Sequence, residues 1–166
     1  NGTEEFRQAV VNYIHRTRGL DYDPATEVVA TIGATEAISS TFFSILKPGD
    51  KIIIPTPEWS LYFPLAELAG AAPIQVDTSA DDFVLTPKHL EQVLEEHGES
   101  VKAILLNYPN NPTGREYPEE VLRGLAKVIE EHNLFCIADE IYSDLVYNGK
   151  HFSIANAIQD RTVLIS

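Results

Sequence analysis

The chain has 166 residues, 44% of them hydrophobic, enough for one compact domain with a buried core. Its 25 acidic against 12 basic side chains give a net charge of -13, which repels phosphate backbones and anionic lipid and so argues against nucleic acid or a membrane surface as partner. One cysteine excludes an internal disulfide framework, and no apolar run approaches the roughly 18 residues of a membrane span.

Phe6, Val10, Tyr13, Ile14 and Thr17 recur at helical spacing, with Thr3 placed to cap the start and Gly19 to end the segment. After Asp21-Tyr22-Asp23-Pro24, the β-branched run Val28 to Ile32 reads as a strand. Helical spacing resumes through Ala37, Ile38, Phe42, Ile45 and Leu46 and stops at the turn Lys47-Pro48-Gly49-Asp50. Then follow a strand over Lys51 to Pro55, a helix from about Ser60 to Ala69, and a strand over Pro73 to Val76. Thr86 and Pro87 open the next helix and Gly98 closes it; Val101 to Leu106 reads as a strand. Pro118-Glu119-Glu120 starts a helix carrying Val121, Leu122, Leu125, Ala126 and Ile129 on one face, ahead of strands over Leu134 to Ala138 and Thr162 to Ile165.

Alternating helices and strands predict a three-layer α/β/α fold with a mainly parallel sheet, in a single domain over residues 1–166. Ile104-Leu105-Leu106 and Phe135-Cys136-Ile137-Ala138, apolar on both faces, are the expected central strands, and Cys136 is expected to be a buried, inert thiol. The absence of an initial Met and the apolar run ending at Ser166 suggest a piece of a longer polypeptide. With no basic or apolar leader pattern at its start, a cytoplasmic location is expected.

Ligands of open α/β sheets bind beyond the carboxyl ends of strands. Four polar segments fall there: Gly33-Ala34-Thr35-Glu36, Pro55-Thr56-Pro57-Glu58-Trp59, Asn107 to Gly114, and Asp139. Gly33, Ala34 and Thr35 offer amides at a helix start, suited to a phosphate, although an ordinary cap reads equally well. They lack the spacing of dinucleotide or triphosphate loops. Asp139 ends an apolar strand, where a carboxylate needs a cation; a protonated pyridine, a capping role or magnesium would each explain it. Tyr142 can point into the same pocket or pack as an aromatic, and Trp59 can stack on a flat ring or serve the core. The five histidines show no metal-ligand spacing, helix-surface positions explain most of them, and no metal is assigned.

Asn107-Tyr108-Pro109-Asn110-Asn111-Pro112-Thr113-Gly114 together with Ala138-Asp139-Glu140-Ile141-Tyr142 resembles the cofactor pocket of class I/II aminotransferases, fold-type I enzymes dependent on pyridoxal 5'-phosphate, and the likeness runs from Gly2 to Ser166. The wording around Thr31 to Ser40 and Trp59 to Pro64 is similar to aromatic-type members. The resemblance implies a large-domain fold, incomplete here, and amino-group transfer between an amino acid and a 2-oxo acid by a homodimeric parent. It implies that Asp139 pairs with the pyridinium nitrogen, that Asn111 and Tyr142 donate to the phenolate oxygen, and that Trp59 covers the ring. Gly33, Ala34 and Thr35 match the phosphate-binding turn, Ser166 matches a hydroxyl residue that is also a phosphate ligand, a few positions before the family's Schiff-base lysine, and a cis peptide is expected at Asn111-Pro112. None of Lys47, Lys51, Lys88, Lys102, Lys127 and Lys150 follows the Ser/Thr-rich signature of that lysine, so the segment alone is expected to be inactive in transamination. A carbon–sulfur lyase of the same fold, an aminotransferase-like effector sensor of a regulator, and a flavodoxin-like module without this cofactor are the competing readings.

Overall fold

A computed structural model describes residues 1–166. Five strands, β1 (Lys51–Thr56), β2 (Ala72–Asp77), β3 (Val101–Asn107), β4 (Phe135–Asp139) and β5 (Thr162–Ile165), form one sheet in the order β2-β1-β3-β4-β5. Every neighbouring pair is parallel. Six α-helices accompany it: α1 (Glu4–Arg18), α2 (Gly33–Ile45), α3 (Tyr62–Leu68), α4 (Pro87–His97), α5 (Glu119–Glu131) and the short α6 (Ala155–Ile158). None is long and apolar enough to cross a membrane.

Side-chain alternation along the strands sorts the core into two halves. Ile52 and Ile54, Ala103 and Leu105, Ile137 and Ile165 face one way and pack with Ile38 and Phe42 of α2 and Tyr62 and Ala66 of α3. Ile53, Ile104, Leu106, Cys136 and Ala138 face the other way, against Leu90 and Leu94 of α4, Leu125 and Ile129 of α5, and Ile158 of α6. A parallel strand needs a crossover to return, and right-handed crossovers put helices on opposite faces once the strand order reverses direction. That reversal falls between β1 and β3, the place where such sheets take ligands.

Local chemistry explains most boundaries. The Thr3 hydroxyl accepts from the Phe6 amide to start α1, and the Gly19 amide closes it on the His15 carbonyl. Thr86 does the same for α4 through the His89 amide, with Pro87 at the first position. Gly124, inside α5, lies where an added Cβ would meet Pro87 Cγ at 2.5 Å, so its bare backbone is what lets α5 approach α4.

Three expectations are corrected. Val28 to Ile32 forms no strand: Val29 and Ile32 are exposed, and the stretch shows one backbone bond outside helices and strands, Ala30 N–H to the Asn1 carbonyl. β-branched residues fit a pleated surface but do not supply the ladder partner a strand needs. Phe135 is exposed at the start of β4, so that run is not apolar-buried throughout, while β3 does occupy the centre of the sheet. The helix read from Ser60 starts at Tyr62. The short α6 has too few residues for a periodic signal, and Cys136 is fully buried as expected, its thiol pushed up in pKa by burial.

Candidate active site

Strand parity also places the site. Leu105 and Ile137 face α2 and α3, so Asn107 and Asp139, two residues further on, end their strands on that same side. Tyr108 and Glu140 follow one residue later and turn to the opposite face.

Asp139 is 3% exposed and has two partners: its Oδ2 accepts from the Tyr62 hydroxyl at 2.5 Å and its Oδ1 from the Ile141 amide at 3.3 Å. No lysine, arginine or histidine of the chain pairs with it. Burial pushes its carboxyl above the usual range, against the pull of those two hydrogen bonds. Glu58, in the turn after β1, is shifted the same way, up to about 8, by burial first and by the charge of Asp139 second. Both Glu58 oxygens are shielded from solvent without a hydrogen-bond partner. Burial, and then Asp139, also drive the Tyr62 hydroxyl upward, so Tyr62 stays a donor.

Asn107 ties the strand ends together. Its Nδ2 donates to the Asp139 carbonyl at 3.0 Å, and its Oδ1 accepts the Asn111 amide at 2.8 Å, which anchors the Asn-Pro loop beside β4. The loop is braced by the Asn110 Oδ1, which accepts from the Thr113 amide and hydroxyl at 3.1 and 2.7 Å, and by the Asn110 Nδ2 donating to the Pro57 carbonyl at 3.3 Å. The Asn111-Pro112 peptide is cis as expected, and so are Thr56-Pro57 and Tyr108-Pro109. A hollow of about 10 Å³, room for one water, lies among Glu58, Thr78, Asn107, Asn110 and Tyr117.

Trp59 meets Tyr62 edge to face, with ring centroids 5.4 Å apart, and the Trp59 carbonyl accepts the Tyr62 amide at 3.2 Å. Tyr142 is exposed, and its hydroxyl makes no hydrogen bond within the chain. Gly33, with φ 75°, opens α2 without any side-chain cap; the Glu36 carboxylate takes the Ile32 amide instead. The amides of Gly33, Ala34 and Thr35 are therefore left to outside partners. Because α2 feeds β1 through a short turn, it runs antiparallel to the strands. Its roughly 20 Å length, at 1.5 Å per residue, brings this turn to their carboxyl edge.

Ser166 lies elsewhere. Its hydroxyl accepts from Arg18 Nη2 at 3.1 Å, on the Glu140 side of the sheet, beside a groove of about 370 Å³ between α1 and residues 141–144. Of the residues singled out from sequence, Asp139, Asn111 and Trp59 thus converge through Asn107 and Tyr62, Gly33 to Thr35 reach the same edge, and Ser166 does not join Asp139.

Reading the sequence did not reveal the cluster behind Asp139. Glu140 is completely buried, and four side chains converge on it: Arg18 Nε at 2.9 Å and His151 Nε2 at 2.8 Å on Oε2, the Ser153 hydroxyl at 2.6 Å and the Tyr108 hydroxyl at 2.9 Å on Oε1. Burial alone would raise its carboxyl, but His151, Ser153 and Arg18 hold it below the usual range. His151 is no helix-surface residue: it stacks on Tyr108 with centroids 5.3 Å apart and has Glu116 at 3.5 Å from its Nδ1. Burial works against its charge, yet Glu116 and Glu140 lift it to about 9.

The sequence profile described as aminotransferase class I and II matches residues 1–166. A probable N-acetyl-LL-diaminopimelate aminotransferase of Bacillus subtilis is 40% identical over 165 residues, covering 99% of this chain and 41% of the relative. The aspartate/prephenate aminotransferase of Thermus thermophilus is 35% identical, covering 99% and 42%. Among solved structures, the Thermus thermophilus aspartate aminotransferase with maleate superposes with a TM-score of 0.92 at 35% identity, covering 98% of this chain and 42% of that one. The aromatic aminotransferase from Pyrococcus horikoshii gives 0.92 at 32% identity, covering 98% and 44%. The chain thus spans about two fifths of the length of these relatives, with its sheet and helices in the arrangement of their folds. Five parallel strands in this order occur in several doubly wound folds, and the match along the whole chain decides between them. The chain belongs to the class I and II aminotransferase family.

Proposed function

We propose that these residues are the pyridoxal 5'-phosphate-binding core of an aminotransferase that moves an amino group between an amino acid and a 2-oxo acid. The observation that carries this reading is Asp139: a buried carboxylate with no cationic partner in the chain, held by Tyr62 at the end of β4. A protonated ring nitrogen completes it, and the open amides of Gly33, Ala34 and Thr35 suit the phosphate.

When bound, the cofactor supplies a ring that takes up the electron pair released at the substrate's α-carbon. Asp139 keeps a proton on the ring nitrogen, and Tyr62 fixes the carboxylate that does so. Asn111, placed by Asn107, and Tyr142 are the donors to the phenolic oxygen. Trp59, backed by Tyr62, covers the ring face. The Ser166 hydroxyl accepts from Arg18 and keeps its own O–H to donate to a phosphate.

The lysines also bear on activity. Lys51 and Lys102 sit at the first and second positions of β1 and β3, at the edge of the sheet away from Asp139, Lys88 and Lys127 lie on α4 and α5, Lys47 precedes β1, and Lys150 is exposed just after the bend at Asn148-Gly149. We infer that residues 1–166 alone bind the cofactor reversibly and do not complete transamination.

The test is a titration with pyridoxamine 5'-phosphate, which needs no covalent link, followed by calorimetry. Saturable binding that Asp139→Ala weakens by about 2–5 kcal/mol supports the reading. Binding that is absent, or indifferent to Asp139, defeats it. Incubation with pyridoxal 5'-phosphate and borohydride should leave no single modified lysine in this chain.

A further inference from the structure

Asp139 ends β4 and Glu140 follows it directly, its side chain turned to the opposite face of the sheet. Left alone, the Glu140 charge would oppose ionisation of Asp139. Instead a guanidinium from α1, an imidazole from the segment after β4, and two hydroxyls converge on Glu140. The same residues tie the turn down: the Ser143 hydroxyl accepts from Arg18 Nη2 at 2.8 Å, the Tyr108 hydroxyl takes the Ile154 amide at 2.9 Å, and the Glu140 amide donates to the Ile165 carbonyl at 2.9 Å.

We propose that Arg18, Glu140 and His151 are positioning residues for Asp139, a charge-balanced network that fixes the turn after β4 from the opposite face and shields the site carboxylate from its acidic neighbour. The proposal rests on the cofactor reading of Asp139 for its functional meaning, but its electrostatics stand on this chain alone.

The groups facing the network close the charge account. Arg18 comes from α1, Tyr22 from the segment after it, Tyr108 from the end of β3, Glu116 from the loop before α5, and Cys136 from β4. With Arg18 and His151 charged, two cations meet Glu116 and Glu140, and Asp139 remains the unbalanced charge. Losing the His151 proton near pH 9 leaves Glu140 with Arg18 as its sole cation.

A carboxyl-labelled ¹³C titration of Asp139, without any ligand, tests this through opposite signs. His151→Gln exposes Asp139 to an uncompensated neighbour and moves its midpoint upward. Glu140→Gln deletes that neighbour's charge and moves the midpoint downward. A network that merely holds structure shifts both variants alike, and shifts of the same sign, or none, overturn the proposal. Should a variant fail to fold, the unaltered protein gives the same answer: the ¹³C signal of the ionised Asp139 carboxylate shifts as His151 titrates through about pH 9. A carboxylate signal that is flat across that interval also overturns it. Opposite ¹³C shifts with no ligand binding at any pH would leave the network standing and sink the cofactor reading instead.

Discussion

Asp139 and Glu140 share a peptide bond and nearly the same burial, yet their carboxyl groups are driven in opposite directions. Glu140 accepts four side-chain hydrogen bonds, two of them from cations; Asp139 accepts one hydroxyl and one amide. The difference teaches where a domain spends its polar satisfaction. Glu140 is complete within the chain and so belongs to the scaffold. Asp139 is left short of a cation, and the proposed cofactor reading rests on that deficit.

The largest expected effect breaks the completed side. Glu140→Ala leaves the buried Arg18 without an acid and His151 with Glu116 alone, and urea denaturation should show a loss of about 3–5 kcal/mol. Asp139→Asn is the matched change on the incomplete side. It removes a desolvated charge with no cationic partner and keeps the side-chain shape, so the same denaturation curve should move by about 1 kcal/mol or less, while pyridoxamine 5'-phosphate binding collapses. A large stability loss in Asp139→Asn would make the two acids alike and erase the distinction.

Titration sharpens the contrast. His151 is raised from 6.5 to about 9, so the folded state holds its proton longer than the unfolded chain. Its contribution is fully present below about pH 6.5 and disappears as pH rises through 9. Glu58 is raised from 4.5 to about 8, and a carboxyl raised in the folded state also binds a proton the unfolded chain has lost. Stability therefore declines between pH 4.5 and 8 on its account and levels off above. Denaturation midpoints measured across pH 5–10 should lose the lower part of this decline in Glu58→Gln and the upper part in His151→Gln. Glu140, lowered in the folded state, works in reverse and adds stability that vanishes only as acid protonates it.

How much of this could be read in the amino-acid order follows from distance along the chain. The layers were legible because alternation of apolar residues is local: Ile104 and Leu106 against Leu105 announce a strand covered on both faces. Asp139 and the Asn110-Asn111-Pro112 turn were legible because a polar residue ending an apolar strand is also a local pattern. Tyr62 was not, since it reaches Asp139 from 77 positions away and its own surroundings read as helix packing. The Glu140 cluster was still less visible. Arg18 lies 122 positions from its carboxylate and resembles any basic residue in the last turn of a helix. Only the sheet, by setting the ends of β3 and β4 side by side, gives these residues a common address.

The smallest expected effect uses the same chemistry in water. Arg123 and Glu119, one turn apart on α5, form a guanidinium–carboxylate pair at 2.8 Å, a length indistinguishable from the 2.9 Å of Arg18 and Glu140. Both surface side chains are 52% exposed, whereas the buried pair shows 2% and 0%. Solvent already satisfies each surface charge, so Glu119→Gln should change the unfolding free energy by only about 0.3–0.5 kcal/mol, fading with added salt. Glu140→Gln removes a charge that water cannot replace, and its larger loss should resist salt. If both substitutions proved equally mild and equally salt-sensitive, the buried network would be open to solvent, and the contrast between Glu140 and Asp139 would then rest on geometry without electrostatics.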